Sequence, residues 1–207
     1  MNSNIYVSFI ILTWNSEKYI DHCLASIDKL NSFLRLEILV VDNGSNDKTL
    51  EKLGQFKSLA NYVVKIISLE KNIGTTTSRN LAIKESKGQI LVFIDSDVEF
   101  NSYGFEDMVN YLMNNKEIGI LAPRIEYPNG NIQHSCKKFP TLNVKLLKLI
   151  DIFTRFSISN RDYYFDFPFS NPTEVDTAIS AFWLMKSDII DLVGYLDETR
   201  LARYIFK

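Results

Sequence analysis

The first half of the chain alternates between short apolar runs and segments whose apolar residues recur at helical spacing. The runs are rich in β-branched residues and end in polar clusters, which is typical of strands buried on both faces of a sheet; they cover Val7–Thr13, Leu36–Val41, Val63–Leu69 and Ile90–Ile94. The segments that follow them predict helices, which open at Asn15 and cover about Asp47–Phe56, Thr76–Lys84 and Phe105–Met113. This rhythm predicts an α/β fold with a mainly parallel sheet and helices on both of its faces.

The second half of the chain is less regular. Val175–Lys186 predicts one continuous strand, and Ser187–Val193 predicts a helix that ends at Gly194. Ser16 is the predicted N-cap of the first helix. No repeat, low-complexity tract or flexible linker interrupts the 207 residues. We therefore expect one domain, 1–207, with one half at about 1–100 and a second, less regular half at about 101–207.

Composition excludes several classes of protein. Hydrophobic residues make up 46% and charged residues 23%, so the chain folds and is not disordered. Lys and Arg number 23 against 25 Asp and Glu, which gives no overall attraction to nucleic acid. No two of the eight glycines are separated by a single residue, as the Gly-x-Gly of the dinucleotide fingerprint requires, and none begins a Gly-x4-Gly-Lys pattern. The dinucleotide fingerprint and the P-loop are therefore absent from the sequence.

The sequence also favours a cytoplasmic protein. Only two cysteines are present, which excludes a paired-cysteine metal motif and suits a reducing compartment. The first residues lack a basic segment, and the apolar run Val7–Leu12 is too short to span a bilayer. Each of His22 and His134 lacks a second ligand at metal-binding spacing, so both are expected to be structural or solvated.

Two acidic residues follow the fourth apolar run. Asp95 and Asp97 are separated by one residue, so in an extended backbone both carboxylates point to the same side. Hard oxygen ligands suit Mg²⁺ or Mn²⁺, and magnesium usually binds through one or two carboxylates together with substrate phosphates. Because Asp and Ser are also ordinary turn formers after strands, this segment is either a metal site or a simple turn.

Residues of complementary chemistry follow the other predicted strands. Trp14 follows the first strand, Asp42 ends the second, and Arg79 lies in the helix after the third. An aromatic ring can stack on a base, a carboxylate can accept from a base N–H, and a cation can face phosphate, so the set suits a nucleotide diphosphate. Each also has an ordinary interpretation: Trp14 as a core residue, Asp42 as a cap of the turn at Gly44, and Arg79 as a solvated helix residue.

Four segments resemble, in order and spacing, the signature blocks of family-2 inverting glycosyltransferases. They are VSFIILTWN (Val7–Asn15), VVDNGSNDKT (Val40–Thr49), NIGTTTSRN (Asn72–Asn80) and FIDSDVE (Phe93–Glu99). The stretch Val175–Glu198 is similar to the acceptor-side segment of that family, and the Thr-Trp-Asn of the first block is most similar to bacterial rhamnosyltransferase-type members. The resemblance implies a GT-A (Rossmann-like) fold with a donor-binding half and a less regular acceptor-side half.

The resemblance also implies roles for individual residues. Trp14 would pack against the base, Asp42 would bond to the pyrimidine ring, and Arg79 would lie near the nucleotide or its diphosphate. Asp97 would be the direct metal ligand, with Asp95 at the ribose and the metal water shell. The complete implied donor-binding set is Thr13, Trp14, Asp42, Asn72, Gly74, Arg79, Asp95 and Ser96. These roles imply a UDP- or dTDP-sugar donor and a divalent cation, Mn²⁺ or Mg²⁺.

The general base is the part of the site that the sequence identifies least well. Relatives resembling this chain carry an acidic Glu-Asp pair soon after a segment like Gly194–Glu198, whereas here no acidic residue follows Glu198. Asp176 is the remaining candidate for the base, and Asp197 and Glu198 are assigned to the turn after the last helix. The acceptor-side half is therefore expected to be cut short at Lys207.

The predicted function is sugar transfer from a nucleotide-diphosphate donor to a saccharide or lipid-linked acceptor in bacterial surface polysaccharide synthesis, metal-assisted and with inversion. The alternative is a shortened donor-binding module without transfer activity. A sugar-1-phosphate nucleotidyltransferase is set aside because Met1–Ser16 contains no glycine. Leu142–Phe156 mixes apolar and basic residues and either packs on the sheet or lies on the inner face of a membrane that carries the acceptor.

Overall fold

The computed structural model describes residues 6–32, 34–139 and 171–199. Its contacts divide the chain into two compact units. The first contains Met1–Leu121 together with Ser180–Lys207, and the second contains Ala122–Ile179. A C-terminal segment therefore belongs to the same unit as the N-terminal half of the chain.

A six-stranded sheet forms the centre of the first unit. Its strands are β1 (Tyr6–Thr13), β2 (Arg35–Asp42), β3 (Val63–Ser68), β4 (Ile90–Asp95), β5 (Ile120–Leu121) and β10 (Phe182–Lys186), in the spatial order β3-β2-β1-β4-β10-β5. The first four strands are parallel, whereas β10 runs antiparallel to both β4 and β5. The predicted α/β class with a mainly parallel sheet is confirmed.

Helices cover both faces of this sheet because its strands are apolar on both faces. The helices are α1 (Ile20–Asp28), α2 (Thr49–Leu59), α3 (Thr75–Glu85), α4 (Phe105–Asn114) and α5 (Ile189–Val193). Alternate residues of β1 point to opposite sides: Phe9 packs in the core cluster that contains residues of α1, α2 and α4, and Ile10 packs in the cluster that contains residues of α3 and α5.

The second unit contains two short antiparallel pairs. In the first pair β6 (Ile125–Glu126) lies beside β7 (Ile132–Gln133), and in the second β8 (Cys136–Lys137) lies beside β9 (Thr177–Ala178). The predicted continuous strand Val175–Lys186 is wrong, because its backbone is divided between two sheets. The Ile179 N–H donates to the Ser135 carbonyl in the second unit, whereas the Ala181 carbonyl accepts from the Asp95 N–H in the first.

The ends of two predicted helices have different outcomes. Gly194 ends α5 as expected, with a φ of 83° and an N–H that donates to the Ile190 carbonyl. The predicted N-cap at Ser16 is wrong: α1 begins at Ile20, and the Ser16 hydroxyl accepts from the Trp14 N–H and bonds to the Ser96 hydroxyl.

Leu142–Phe156 lies outside the described residues. Within the described ranges, no helix has the length and apolar character needed to cross a membrane.

Candidate active site

The carboxyl ends of three parallel strands bring most of the predicted site residues to one edge of the sheet. Thr13 at the end of β1 is directly beside Asp42 at the end of β2. On the other side of β1, Leu12 is beside Asp95 at the end of β4. This edge is where ligands bind in parallel α/β sheets.

Asp42 is a fully buried hydrogen-bond acceptor at this edge. Its Oδ1 accepts from the Thr13 hydroxyl at 2.8 Å and from the Ser45 hydroxyl at 2.5 Å, and its Oδ2 accepts from the Ser45 N–H at 2.9 Å. The carboxylate is 0% exposed and therefore fixes the turn around Gly44, as the ordinary interpretation held. Its contact with a pyrimidine stays a prediction.

Trp14 is presented to solvent by an unusual backbone conformation at the next residue. Asn15 has a φ of 52°, in the left-handed region, its N–H donates to the Ser45 hydroxyl at 2.8 Å, and its Oδ1 accepts from the Asn46 N–H at 2.9 Å. Trp14 is 57% exposed, so the core interpretation is wrong. An exposed indole beside the strand ends can stack on a base.

The Asp95–Asp97 segment is a turn. Strand β4 ends at Asp95, and the Val98 N–H donates to the Asp95 carbonyl at 3.1 Å. The expectation that an extended backbone aligns the two carboxylates is therefore wrong. The side chain of Asp95 is 42% exposed, and Asp97 is an exposed residue. Burial raises the pKa of Asp95 and so does the charge of Asp97, whereas Arg79 acts to lower it.

The donor set at this turn fits a divalent cation. Two carboxylates two residues apart supply oxygen ligands, and magnesium typically needs no more than one or two of these because substrate phosphates and water complete its shell. Among the described residues, no group of three or more His, Cys, Asp or Glu side chains could hold a metal ion. A cation here would therefore depend on the substrate for part of its ligand shell.

Arg79 lies beneath this turn and is 7% exposed, so the solvated-helix interpretation is wrong. Its Nη2 donates to Asp95 Oδ1 at 3.0 Å and to the Ser180 carbonyl at 3.0 Å. The guanidinium carbon lies 5.9 Å from the ring centroid of Phe93 and 5.9 Å from that of Trp183. Burial lowers the pKa of Arg79, and the neighbouring Asp95 carboxylate opposes that shift.

The loop before α3 is held by two side chains. Gly74 has a φ of 90° and its N–H donates to Asn72 Oδ1 at 2.9 Å, which places both predicted residues in one tight turn. Asn43 Oδ1 accepts from the Ser78 hydroxyl at 2.7 Å and joins the end of β2 to α3. The sequence analysis did not single out Asn43 and Ser78, although a polar residue directly after a buried strand is a usable signal.

Asn80 was also missed by the sequence analysis. Its Nδ2 donates to the Leu196 carbonyl at 2.8 Å and to Glu198 Oε1 at 2.7 Å, and its Oδ1 accepts from the Leu196 N–H at 3.0 Å. The Thr77 hydroxyl donates to Glu198 Oε2 at 3.3 Å. Helix α3 therefore holds the segment that contains Asp197 and Glu198, which had been assigned to the turn after the last helix without a specific partner.

Asp176 and His22 make other contacts. Asp176 is in the second unit, where its Oδ2 accepts from the Phe139 N–H at 2.8 Å. Its role as general base stays a prediction. The imidazole Nδ1 of His22 lies 3.6 Å from Glu99 Oε1 in an exposed pair.

The fold and the polar strand ends define the class of protein. A mainly parallel α/β sheet with an acidic turn after β4 and an exposed aromatic after β1 has the GT-A architecture. Residues 8–194 match the family described as "Glycosyl transferase family 2", so the chain belongs to this family. The family resemblance predicted from the four sequence blocks is confirmed.

Relatives support the same assignment. The chain is 26% identical over 206 residues to the poly(ribitol-phosphate) β-N-acetylglucosaminyltransferase TarS of Staphylococcus aureus. The alignment covers 94% of this chain and 33% of that protein. The chain therefore spans about a third of the length of this relative.

Solved structures share the fold. The structure of S. aureus TarS 1–349 in complex with UDP superimposes with a TM-score of 0.63 at 22% identity, covering 94% of this chain and 51% of that one. A mannosyltransferase from Pyrobaculum calidifontis, solved with GDP-Man and Mn²⁺, superimposes with a TM-score of 0.62 at 17% identity, covering 91% and 46%.

Proposed function

We propose that this chain transfers a sugar from a nucleotide-diphosphate donor to a saccharide or lipid-linked acceptor during synthesis of a bacterial surface polysaccharide. The observation that carries the proposal is the placement of the exposed Trp14 and the acidic turn at Asp95–Asp97 on one edge of a parallel sheet. An aromatic platform and a carboxylate pair are what a base and a metal-bound diphosphate require.

The chemistry of the proposed reaction needs charge stabilisation and one base. A nucleoside diphosphate leaves with negative charge developing on phosphate oxygen, and a Mn²⁺ or Mg²⁺ ion held by Asp97 and Asp95 would stabilise that charge as a Lewis acid. A base on the opposite side of the sugar would accept the proton of the attacking acceptor hydroxyl, which inverts the anomeric configuration. Asp176 is our candidate for this base.

The finer parts of the proposal concern substrate and location. We favour a UDP- or dTDP-sugar donor because Asp42 belongs to a block that resembles the pyrimidine-binding block of the family, and TarS was solved with UDP. A rhamnosyltransferase-like specificity, a cytoplasmic location and a peripheral membrane contact through Leu142–Phe156 belong to the same proposal.

The first test is calorimetric binding of UDP, dTDP and GDP with Mn²⁺ and, separately, with EDTA. We expect Asp97→Ala to weaken UDP binding roughly tenfold or more with Mn²⁺ and to change it little in EDTA, because the metal-dependent part of the affinity is lost. Asp191→Ala is the control. Asp191 lies in α5, which follows Lys186 at the end of β10, and Lys186 pairs with Ile90 at the start of β4. This helix therefore begins at the edge of the sheet opposite the carboxyl ends of the parallel strands. Equal losses in both buffers would reject Asp97 as a metal ligand.

The second test is release of sugar from UDP-sugars by residues 1–207, with and without a saccharide acceptor. We expect Mn²⁺-dependent transfer or donor hydrolysis. Nucleotide binding without any sugar release would reduce the proposal to its donor-binding part. If none of the three nucleotides binds, the proposal fails at its first step.

A further inference from the structure

The side chain of Arg79 is buried, and one of its terminal nitrogens is held by two hydrogen bonds. A guanidinium that binds phosphate usually presents its fork of N–H groups to the ligand. In Arg79 the Nη2 atom instead donates to both Asp95 and the Ser180 carbonyl, and the side chain is 9% exposed. The guanidinium carbon also lies 5.9 Å from the ring centroids of both Phe93 and Trp183, two rings that contact each other.

These contacts make movement of Arg79 toward a ligand unfavourable. If the side chain rotated outward, it would leave two hydrogen bonds and two aromatic contacts, and the half-buried Asp95 carboxylate would lose its partner. The Ser180 contact comes from a segment 101 residues away in sequence, so the position of the guanidinium is fixed by tertiary structure rather than by α3 alone.

We propose that Arg79 is a positioning residue that acts through Asp95, and that it does not contact the donor diphosphate. By engaging Oδ1, Arg79 fixes the rotamer of Asp95, and Oδ2 would then be the oxygen available to a cation or its water shell. This inference rests on the proposed function, because it assigns Arg79 a part in metal-dependent donor binding at the same edge of the sheet.

A double-mutant cycle separates this role from direct phosphate binding. We would measure UDP binding by calorimetry, in Mn²⁺ and in EDTA, for the wild type, Arg79→Ala, Asp95→Ala and the double variant. We expect Arg79→Ala to weaken UDP binding about tenfold in Mn²⁺ and not in EDTA, as for other residues that orient a metal ligand. The double variant should bind UDP no more weakly than Asp95→Ala, because Arg79 acts only through that carboxylate.

Two further measurements keep the inference testable if Arg79→Ala folds poorly. Arg79→Lys retains the positive charge but not the planar group that contacts the two rings, so it should show a smaller loss than Arg79→Ala. Binding of Mn²⁺ alone, measured by electron paramagnetic resonance, should also weaken less in Arg79→Lys than in Arg79→Ala. Lys84→Ala is the matched control, because Lys84 is a cation on the same helix that instead lies over the Tyr195 ring.

The outcomes are distinct for the two proposals. Loss of UDP affinity of equal size in EDTA, or a loss that adds to that of Asp95→Ala, would show that Arg79 contacts the nucleotide directly and would overturn the inference. Unchanged Mn²⁺ and UDP binding in a folded but destabilised Arg79→Ala would show a purely structural role and would also overturn it. If the wild type binds Mn²⁺ with the expected Arg79 dependence but binds no nucleotide, the proposed function fails while the positioning role stands. If the wild type binds neither Mn²⁺ nor UDP, both fail.

Discussion

Asn15 shows how a single backbone angle shapes the candidate site. Its left-handed φ of 52° turns the chain directly after β1 and leaves the neighbouring Trp14 exposed. Asn tolerates this region better than most L residues because its short amide can bond locally, and here the amide oxygen accepts from the Asn46 N–H. The conformation is held by contacts with the loop after β2, since the Asn15 N–H also donates to Ser45.

We predict that Asn15→Ala is less stable to urea than Asn15→Gly by about 1 kcal/mol. Both variants lose the same amide, so the difference between their free energies of unfolding reports the left-handed backbone, which glycine adopts without steric strain. Equilibrium urea unfolding of the two variants measures it. An Asn15→Ala protein as stable as Asn15→Gly would mean that the loop relaxes to a negative φ.

The limits of prediction from sequence are clearest at this scale. Asp42, Asp95 and Trp14 were identified because each lies next to a recognisable strand end, a position that sequence alone defines. The burial of Arg79 was not predictable in the same way, because it depends on Ser180, and nothing near either residue in the sequence indicates that contact. The position of a residue at a strand end was thus easier to predict than the atom it touches.

At the scale of elements, polar side chains connect the loops after β1 and β2. Asp47 Oδ1 accepts from the Thr49 N–H at 3.0 Å at the start of α2, and its Oδ2 accepts from the Glu17 N–H at 3.1 Å in the loop before α1. Although burial alone would raise the pKa of Asp47, the hydrogen bonds from Thr49 and Glu17 outweigh it and lower the pKa below its ordinary value of 3.8. The ionised carboxylate therefore stabilises the start of α2 and the loop before α1.

We predict that Asp47→Ala loses roughly 1 kcal/mol of stability at pH 7, and that this loss shrinks as the pH falls below about 4. Because the pKa is lower in the folded state, the stabilisation is present above the unfolded pKa and disappears as the folded carboxylate takes up a proton. Urea unfolding of the wild type and the variant between pH 7 and pH 3 measures it. Asp47→Asn keeps an acceptor that does not titrate, so its stability relative to Asp47→Ala should stay constant with pH.

Elements were predicted well where their signal is local. The four parallel strands follow from apolar runs, and Gly194 ends α5 as its sequence position indicated. The start of α1 was wrong because the Ser16 hydroxyl bonds to Ser96, which lies 80 residues further along the chain. The break in Val175–Lys186 likewise arises because its two ends pair with strands of different sheets. The sequence of an extended segment does not indicate which strands it will pair with.

At the scale of the whole molecule, the central sheet is completed by a strand from the far end of the described chain. Strand β10 lies between β4 and β5, and its Leu184 is fully buried. Strands β6 to β9 of the second unit have two residues each. Short two-stranded pairs are marginal on their own, whereas strands inside a six-stranded sheet open only with much of the core.

We predict that the amides of β1, β2, β4 and β10 exchange with solvent most slowly, and that those of β6 to β9 exchange much faster. Amide hydrogen exchange at neutral pH, followed by mass spectrometry or NMR, measures the order. Protection of Phe182–Lys186 should match that of Ile90–Asp95, because the two strands share one ladder. Exchange of β10 as fast as that of β6 would contradict its place in the core.

The late arrival of β10 has a consequence for synthesis of the chain on the ribosome. Arg79 and its Ser180 partner are 101 residues apart, which at translation rates of roughly 5–20 residues per second corresponds to roughly 5–20 seconds. During that time the apolar strand Ile90–Asp95 has β1 on one side and an unpaired edge on the other, which is the kind of surface that associates with other chains. We therefore expect the nascent protein to need a chaperone on this edge until residues 180–186 leave the exit tunnel, and the acidic turn to acquire its final geometry only then.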